Sequence, residues 1–173
     1  MAEEPVIPEE ARAKIGKESP PRVMGEVTKR DIRRFAQAVG DSNPLYFDDG
    51  YAEKSRYGGI IAPPLFYLSF VYDPGPEAVA GADGRLRRPS GVEMYGGIEF
   101  PQLPLKNILA GGRELEFLQP LRPGDTLSVT GKILDLYEKE GKRGKMVFVV
   151  SENTYFKQRN EVVLKEKITN IFY

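Results

Sequence analysis

The chain contains no cysteine, no histidine and no tryptophan among its 173 residues. Without cysteine it can form no disulfide and use no thiolate nucleophile. Without histidine it lacks the most common metal ligand and the most common general base near neutral pH. We therefore expect no metal and no bound cofactor, and every mechanism in which this chain supplies its own histidine or cysteine is excluded.

An excess of charge of one sign is also missing, since 25 Lys and Arg balance 25 Asp and Glu. A neutral chain gives no electrostatic reason to bind nucleic acid or an anionic membrane. The longest apolar stretch, around Ile60 to Tyr72, is too short to span a bilayer. The acidic, proline-bearing start, Met1 to Glu10, does not look like a signal peptide. We expect no nucleic-acid partner, no membrane partner and a cytoplasmic location.

The length suits one domain with its own core. Residues 1–22 carry four prolines and many charges, and they are predicted to form an N-terminal arm with a short helix over 9–17. Residues 23–173 are predicted to form a single domain. Residues 73–92, rich in Gly, Pro, Ala and Arg, are interpreted as a long excursion and not a linker, because no second domain of useful size follows.

Helical signals occupy the first half of this domain. Thr28 followed by Asp31 is a variant of the capping box, and the helix that it begins ends at Gly40. A short amphipathic piece is predicted over 48–56. Residues 63–72 begin with two prolines and continue almost entirely apolar, which favours a buried helix over a strand.

The second half alternates between apolar and polar residues, as strands do. Strands are predicted over 97–100, 113–118, 126–137, 146–156 and 162–172. Long antiparallel strands after one buried helix indicate an α+β domain with the sheet wrapped around that helix.

One segment carries a motif. Residues 40–48 read GDSNPLYFD, followed by Tyr51-Ala52 and then by residues 59–64, GIIAPP. This closely resembles the signature of the MaoC-like hydratases, the (R)-specific enoyl-CoA hydratases, which runs D-x-N-P-x-H. Residues 113–126 and 141–168 resemble later parts of the same family, with a form common in its N-terminal dehydratase-type branch, so the resemblance runs from Val23 onward.

The resemblance implies a hot-dog fold, an antiparallel sheet around one long buried helix. It implies an acyl thioester of coenzyme A or acyl carrier protein as substrate, and reversible addition of water to a 2-enoyl thioester. In active members an aspartate and a histidine hold and deprotonate the water. Here Asp41 is present, but Tyr46 stands where the histidine belongs. Because tyrosine titrates near 10, forming a phenolate at pH 7 costs about 4 kcal/mol.

The resemblance places the site where residues 41–46 meet the start of the buried helix. The catalytic candidates are Asp41, for which a turn-forming role is the alternative, and Tyr46, which either contacts ligand or only fills the histidine's space. Ile61 and Ala62 are candidate amide donors to the thioester oxygen, because the two prolines that follow have no N–H; close packing is the alternative for Ala62. The remaining substrate-binding candidates are Asn43, Phe66, Tyr67 and Phe70, and the excursion at 73–92 is expected to border the acyl tunnel.

Three functions stay open. The first is a degenerate subunit of a heteromeric enoyl-CoA (3-hydroxyacyl thioester) hydratase, weak or inactive alone, whose hot-dog partner carries the intact Asp/His dyad. The second is a self-sufficient hydratase that uses Asp41 with Tyr46 or a bound water. The third is a non-enzymatic acyl-CoA-binding scaffold. A homodimer or heterodimer is expected, built by extension of the sheet.

Overall fold

The computed structural model describes residues 6–72, 79–80, 86–87, 94–105, 107–141 and 144–173. Its helices are α1 (Glu9–Arg12), α2 (Lys29–Ala38), α3 (Asp49–Lys54) and α4 (Leu68–Val71), with short 3-10 helices at Pro44–Tyr46, Pro64–Tyr67 and Gln158–Asn160. Its strands are β1 (Arg22–Glu26), β2 (Val79–Ala80), β3 (Leu86–Arg87), β4 (Met94–Tyr95), β5 (Ile98–Glu99), β6 (Ile108–Phe117), β7 (Thr126–Gly141), β8 (Gly144–Lys157) and β9 (Glu161–Phe172). Over these ranges, no helix has the length and apolar character that a membrane crossing requires.

Five strands form one sheet in the order β1-β7-β8-β9-β6, and all its neighbours are antiparallel. The α+β class predicted from the sequence is confirmed. β7 lies between β1 and β8, so it has no open edge within this sheet. The long outer strand is β6, which pairs only with β9 within the described sheet.

Side-chain caps explain where the helices begin. The Thr28 hydroxyl accepts a hydrogen bond from the Asp31 amide at 3.1 Å and donates one to the Asp31 carboxylate at 2.6 Å. Asp48 caps α3 in the same way, by accepting from the Tyr51 amide at 3.0 Å. The predicted capping of α2 is therefore present, and both caps satisfy amides that have no partner within their helices.

The predicted buried helix is present but short. A 3-10 turn over Pro64–Tyr67 leads directly into the single turn of α4. One side of it is buried, through Phe66, Tyr67 and Val71, whereas Leu65 is 43% exposed. A helix apolar on every side was expected to be enclosed on every side, and the structure shows that only one side packs against the sheet and α2.

Two apolar clusters cover the inner face of the sheet. The larger cluster contains residues of the 3-10 turn Pro64–Tyr67 and of α2, α3, β7 and β9. The smaller unites β7, β8 and β9 with Ile7 and Ala11, which are 1% and 3% exposed. The arm is held further by isolated bridges from Ile15 and Glu18 to β7. The described part of the predicted arm thus packs as part of the domain.

Candidate functional site

The polar turn after α2 is organised by its own side chains. Gly40 takes a φ of +73°, which ends the helix at little steric cost. The Asp41 carboxylate then accepts from the Asn43 amide at 3.1 Å, and the Asn43 side-chain oxygen accepts from the Leu45 amide at 3.1 Å. These are Asx turns. The turn-forming role considered for Asp41 is thus visible in the structure, and the Asn43 side chain stabilises the same turn.

Tyr46 follows, at the end of the 3-10 helix Pro44–Tyr46, and is 6% exposed. Burial, then the negative charge of Asp41, then the neighbouring Tyr57 raise the pKa of Tyr46 above its ordinary value. The side chain is therefore a neutral phenol at physiological pH. A neutral phenol donates a hydrogen bond well and accepts a proton poorly.

A cavity of about 520 Å³ lies beside Tyr46. This volume is within the range of small-molecule sites, about 300–1,000 Å³. Its polar and aromatic lining includes Asn43, Tyr46, Arg56, Tyr57, Tyr67 and Gln119. Its apolar lining includes Ile61, Ala62, Phe117, Leu121, Val163 and Leu164. Tyr46 is among the lining residues and Asp41 is not.

The two amides proposed to hold a thioester oxygen are already engaged. The Ala62 amide donates to the Leu121 carbonyl at 2.8 Å, and the Ile61 amide donates to the Leu45 carbonyl at 3.4 Å. Both residues line the cavity, but neither N–H is available to a ligand in this conformation. The expectation for these amides is therefore corrected: a close approach to another segment of the chain uses them. Tyr46 also lines the cavity, and its side chain carries a hydroxyl group that can donate a hydrogen bond.

The aromatic residues of the buried helix divide between two environments. Tyr67 lines the cavity. Phe66 is fully buried and packs edge-to-face against Phe35 and Phe70, with ring centroids 5.7 and 5.5 Å apart. Phe66 and Phe70 are not among the cavity-lining residues, and the expectation that they wall an acyl tunnel is corrected. The periodicity of the sequence shows burial, but it does not separate core from cavity.

A basic residue of the cavity lining, Arg56, was not singled out from the sequence, and neither was its neighbour Arg122. Arg56 donates to the Tyr57 hydroxyl at 2.6 Å, and its guanidinium lies 4.8 Å from the centre of the Tyr57 ring. Arg122, which is not among the lining residues, donates to the Tyr57 carbonyl at 2.6 Å. No acidic residue is among those that line the described cavity. With 25 Lys and Arg in the chain, no sequence signal distinguishes these two.

A buried carboxylate, that of Glu166, stands behind the cavity wall. Glu166 is fully buried, and its Oε1 accepts from the Tyr67 hydroxyl at 2.9 Å and lies 3.2 Å from Arg113 Nε. Its Oε2 accepts from Tyr155 at 3.0 Å and from Asn153 at 3.1 Å. Burial first and Glu166 second raise the pKa of Tyr67. The strand pattern contained a signal for this group, because Glu166 shares the inward parity of Leu164 and Ile168.

The predicted excursion at 73–92 lies outside the described residues, apart from the backbone of β2 and β3. Its predicted role at the acyl tunnel stays a prediction.

The domain thus combines a five-stranded antiparallel sheet and a short buried helix with a cavity of small-molecule size at the polar turn. The family model described as "FAS1-like, dehydratase domain region" matches residues 13–166. The chain therefore belongs to this family of FAS1-like dehydratase domain regions.

Sequence relatives agree with this assignment. A UPF0336 protein of Streptomyces coelicolor is 34% identical over 121 residues, which are 69% of this chain and 68% of that protein. The probable enoyl-CoA hydratase alpha subunit of Thermomonospora curvata is 28% identical over 156 residues, which are 86% of this chain and 45% of that protein.

Solved structures establish the fold. A chain of the ChsH1–ChsH2 complex from Mycobacterium tuberculosis superposes with a TM-score of 0.70 at 24% identity, covering 94% of this chain and 88% of that one. The MaoC-like dehydratase from Rhodospirillum rubrum gives a TM-score of 0.62 at 22% identity, covering 92% of each chain. The hot-dog fold and the resemblance to MaoC-like dehydratases, both expected from the sequence, are confirmed.

Proposed function

We propose that this chain is the acyl-thioester-binding, degenerate subunit of a heteromeric enoyl-CoA (3-hydroxyacyl thioester) hydratase. The observation that carries the proposal is Tyr46, which lies in the motif position of the histidine, lines the cavity and has a raised pKa. Removing its proton at pH 7 costs more than about 4 kcal/mol, at roughly 1.4 kcal/mol for each unit. Hydration requires a base that titrates near the working pH, and this phenol does not.

The position of Asp41 supports the same conclusion. Its carboxylate accepts from the Asn43 amide and is not among the residues that line the cavity. A base must reach the proton it removes, directly or through one water. The self-sufficient hydratase, which relies on Asp41 with Tyr46 or a bound water, is therefore the second candidate, and an assay of the chain alone separates the two.

The cavity suits a thioester because its walls are mostly apolar with a few polar groups. The acyl chain lies against Ile61, Ala62 and Leu164 in this proposal, and the Tyr46 hydroxyl donates to the thioester oxygen. Arg56 then faces the phosphates of coenzyme A or of a carrier protein's phosphopantetheine, where an arginine binds well. The thioester is a substrate, and no further cofactor is required.

The partner is proposed to pair along β6. This outer strand is exposed at nearly every position, and Ile108 and Leu109 are 44% and 55% exposed. Long exposed edges are normally covered in native proteins. The names of the ChsH1–ChsH2 complex and of the hydratase alpha subunit show that similar chains belong to multi-subunit proteins. We propose a hot-dog partner with an intact Asp/His dyad, and a homodimer as the alternative.

The test is hydration of crotonyl-CoA and longer enoyl-CoAs by the purified chain, alone and with a co-expressed hot-dog protein that carries the D-x-N-P-x-H motif. The chain alone is expected to turn over far more slowly than about 10 per second, the median for enzymes, and the mixture is expected to be active. A chain that reaches that rate alone is a self-sufficient hydratase. A chain that binds acyl-CoA but adds nothing to the mixture is a scaffold.

Tyr46→His provides the matched variant. If the rest of the site is intact, this substitution restores a base near neutral pH and raises the rate of the chain alone. Tyr46→Phe removes only the hydroxyl and is expected to weaken acyl-CoA binding without creating activity. No gain in Tyr46→His would show that more than the histidine has been lost.

A further inference from the structure

Four polar side chains lie together on the buried face of the sheet, and we refer to them as the polar strip: Ser151 and Asn153 on β8, Glu166 and Asn170 on β9. They are 1%, 0%, 0% and 6% exposed. Asn153 pairs directly with Glu166 across the two strands, and Ser151 pairs with Ile168, the residue between Glu166 and Asn170 on that face. Paired and diagonal residues of neighbouring strands are within reach of each other.

One half of the polar strip is fully bonded. Asn153 accepts from the Gly97 amide at 3.0 Å and donates to Glu166 at 3.1 Å. Glu166 accepts from Tyr67 and Tyr155 and pairs with Arg113. This half needs no ligand to explain it.

The other half is not bonded. Ser151 Oγ and Asn170 Nδ2 are buried and have no hydrogen-bond partner. Buried polar atoms in native proteins almost always have a partner, because leaving one unpaired is unfavourable. Two such atoms on one face, both able to donate a hydrogen bond, point to an acceptor that binds between them.

The polar strip lies next to the cavity wall, and Ser151 and Asn170 are not themselves among the residues that line the cavity. Leu164 and Tyr67 both line the cavity. Leu164 lies on the same face of β9 as Glu166, two positions earlier, and Tyr67 donates to Glu166. Ile168, the partner of Ser151, comes four residues after Leu164, which is about 13 Å along a strand, and Asn170 comes about 7 Å further.

We propose that Ser151 and Asn170 form a polar subsite for an oxygen at the far end of the acyl group. The inference rests on the proposed acyl-thioester function and narrows the substrate class to long acyl thioesters that carry a distal hydroxyl or keto oxygen. An uncharged oxygen fits because the two unpaired groups are neutral donors and the nearby Arg113 is paired with Glu166.

The test is calorimetric titration of the chain with dodecanoyl-, tetradecanoyl- and hexadecanoyl-CoA, each compared with its ω-hydroxy counterpart. At one chain length or more, the hydroxylated ligand is expected to bind about tenfold more tightly, equivalent to about 1.4 kcal/mol. Ser151→Ala with Asn170→Leu is expected to abolish that preference and to leave the binding of the unsubstituted ligands within about twofold. The melting temperature of this double variant without ligand is expected to equal or exceed that of the wild type, because two unpaired polar groups are removed.

Thr154→Val is the matched control. Thr154 also lies on β8 but alternates with the buried residues and so faces the other side of the sheet. Thr154→Val is expected to leave the preference for the hydroxylated ligand unchanged. The single variant Ser151→Ala keeps the test valid if the double variant does not fold.

Equal binding of both members at every length would overturn the inference and would indicate that water satisfies Ser151 and Asn170. A preference that survives in the double variant would overturn it as well. In both cases acyl-CoA still binds, and the proposed function stands. If none of the acyl-CoAs binds, the proposed function fails and the inference fails with it.

Discussion

Glu166→Gln is expected to lower the free energy of unfolding by about 2–3 kcal/mol. Each carboxylate oxygen serves two groups: Oε1 serves Tyr67 and Arg113, and Oε2 serves Tyr155 and Asn153. Glutamine keeps the shape of the side chain but only one acceptor oxygen, so the two groups that bonded to the other oxygen lose their acceptor. It also removes the negative charge that lies 3.2 Å from Arg113 Nε.

The magnitude follows from the burial of the two charges. Removing one member of a fully buried ion pair costs about 3–5 kcal/mol. The Arg113 side chain is 26% exposed, so water compensates for part of the lost pairing and the cost falls below that range. For a domain of this size about 2–3 kcal/mol corresponds to a decrease of roughly 5–10 °C in Tm.

The assay is urea unfolding followed by circular dichroism, with Glu152→Gln as the matched control. Glu152 lies on β8 and pairs with Lys132 at 2.9 Å, but their side chains are 30% and 39% exposed. Exposed pairs contribute about 0–1 kcal/mol. If both variants lose the same stability, the network around Glu166 does not stabilise the fold in the way we describe.

Three further predictions concern the pH dependence, the arm and the sheet edge. Because burial and Glu166 raise the pKa of Tyr67 above its ordinary value of 10.0, the folded chain retains a proton that the unfolded chain loses. The stabilisation from Tyr67 is therefore complete below about pH 10, and above it the free energy of unfolding falls by up to about 1.4 kcal/mol for each pH unit. Tyr67→Phe should lessen this fall when urea unfolding is measured at several pH values. If the wild type and Tyr67→Phe lose stability equally with pH, the fall does not come from Tyr67. Ile7→Ala, at a side chain that is 1% exposed, is expected to lower the free energy of unfolding by about 2–4 kcal/mol. Ile15→Ala, at a side chain that is 37% exposed, is expected to lower it by much less. If both variants lose equally little stability in the same assay, the arm does not contribute to the core. Ile108→Lys with Leu109→Lys on β6 is expected to convert a particle of twice the chain mass into a monomer by light scattering. Val39→Lys, at an exposed position directly after α2, is expected to leave the mass unchanged. A wild-type chain that is itself a monomer at micromolar concentration contradicts the homodimer and leaves the heterodimer.

Much of the fold was predictable because local rules determine it. The start of α2 follows from the side chain of Thr28 meeting the Asp31 amide, and both residues are neighbours in sequence. The strands over 126–141, 144–157 and 161–172 follow from the alternation of inward apolar and outward polar residues. The location of the turn at Asp41 follows from residues that bond to their own near neighbours.

The candidate site was predictable only in part. The motif placed Asn43, Tyr46, Ile61 and Ala62 near one another, and all four line the cavity. The motif did not show that the Ala62 amide is occupied, because its acceptor is the carbonyl of Leu121, in a segment that arrives from the other half of the chain. It did not separate Phe66 from Tyr67 either, since adjacent apolar residues on a short helix differ only in what packs against them.

The sequence by itself determined that this chain has no histidine or cysteine, where α2 begins, which residues of each strand point inward, and that a tyrosine, Tyr46, ends the segment Asp-Ser-Asn-Pro-Leu-Tyr. Each of these is a property of residue identity or of short-range spacing. Only the tertiary structure decided which amides are free, which aromatic residues face the cavity, and that Glu166 meets Tyr67 across 99 residues of chain. It also left Ser151 and Asn170 buried without partners. The physical reason is that burial and hydrogen-bond satisfaction depend on which distant segments come together, and no local pattern records that.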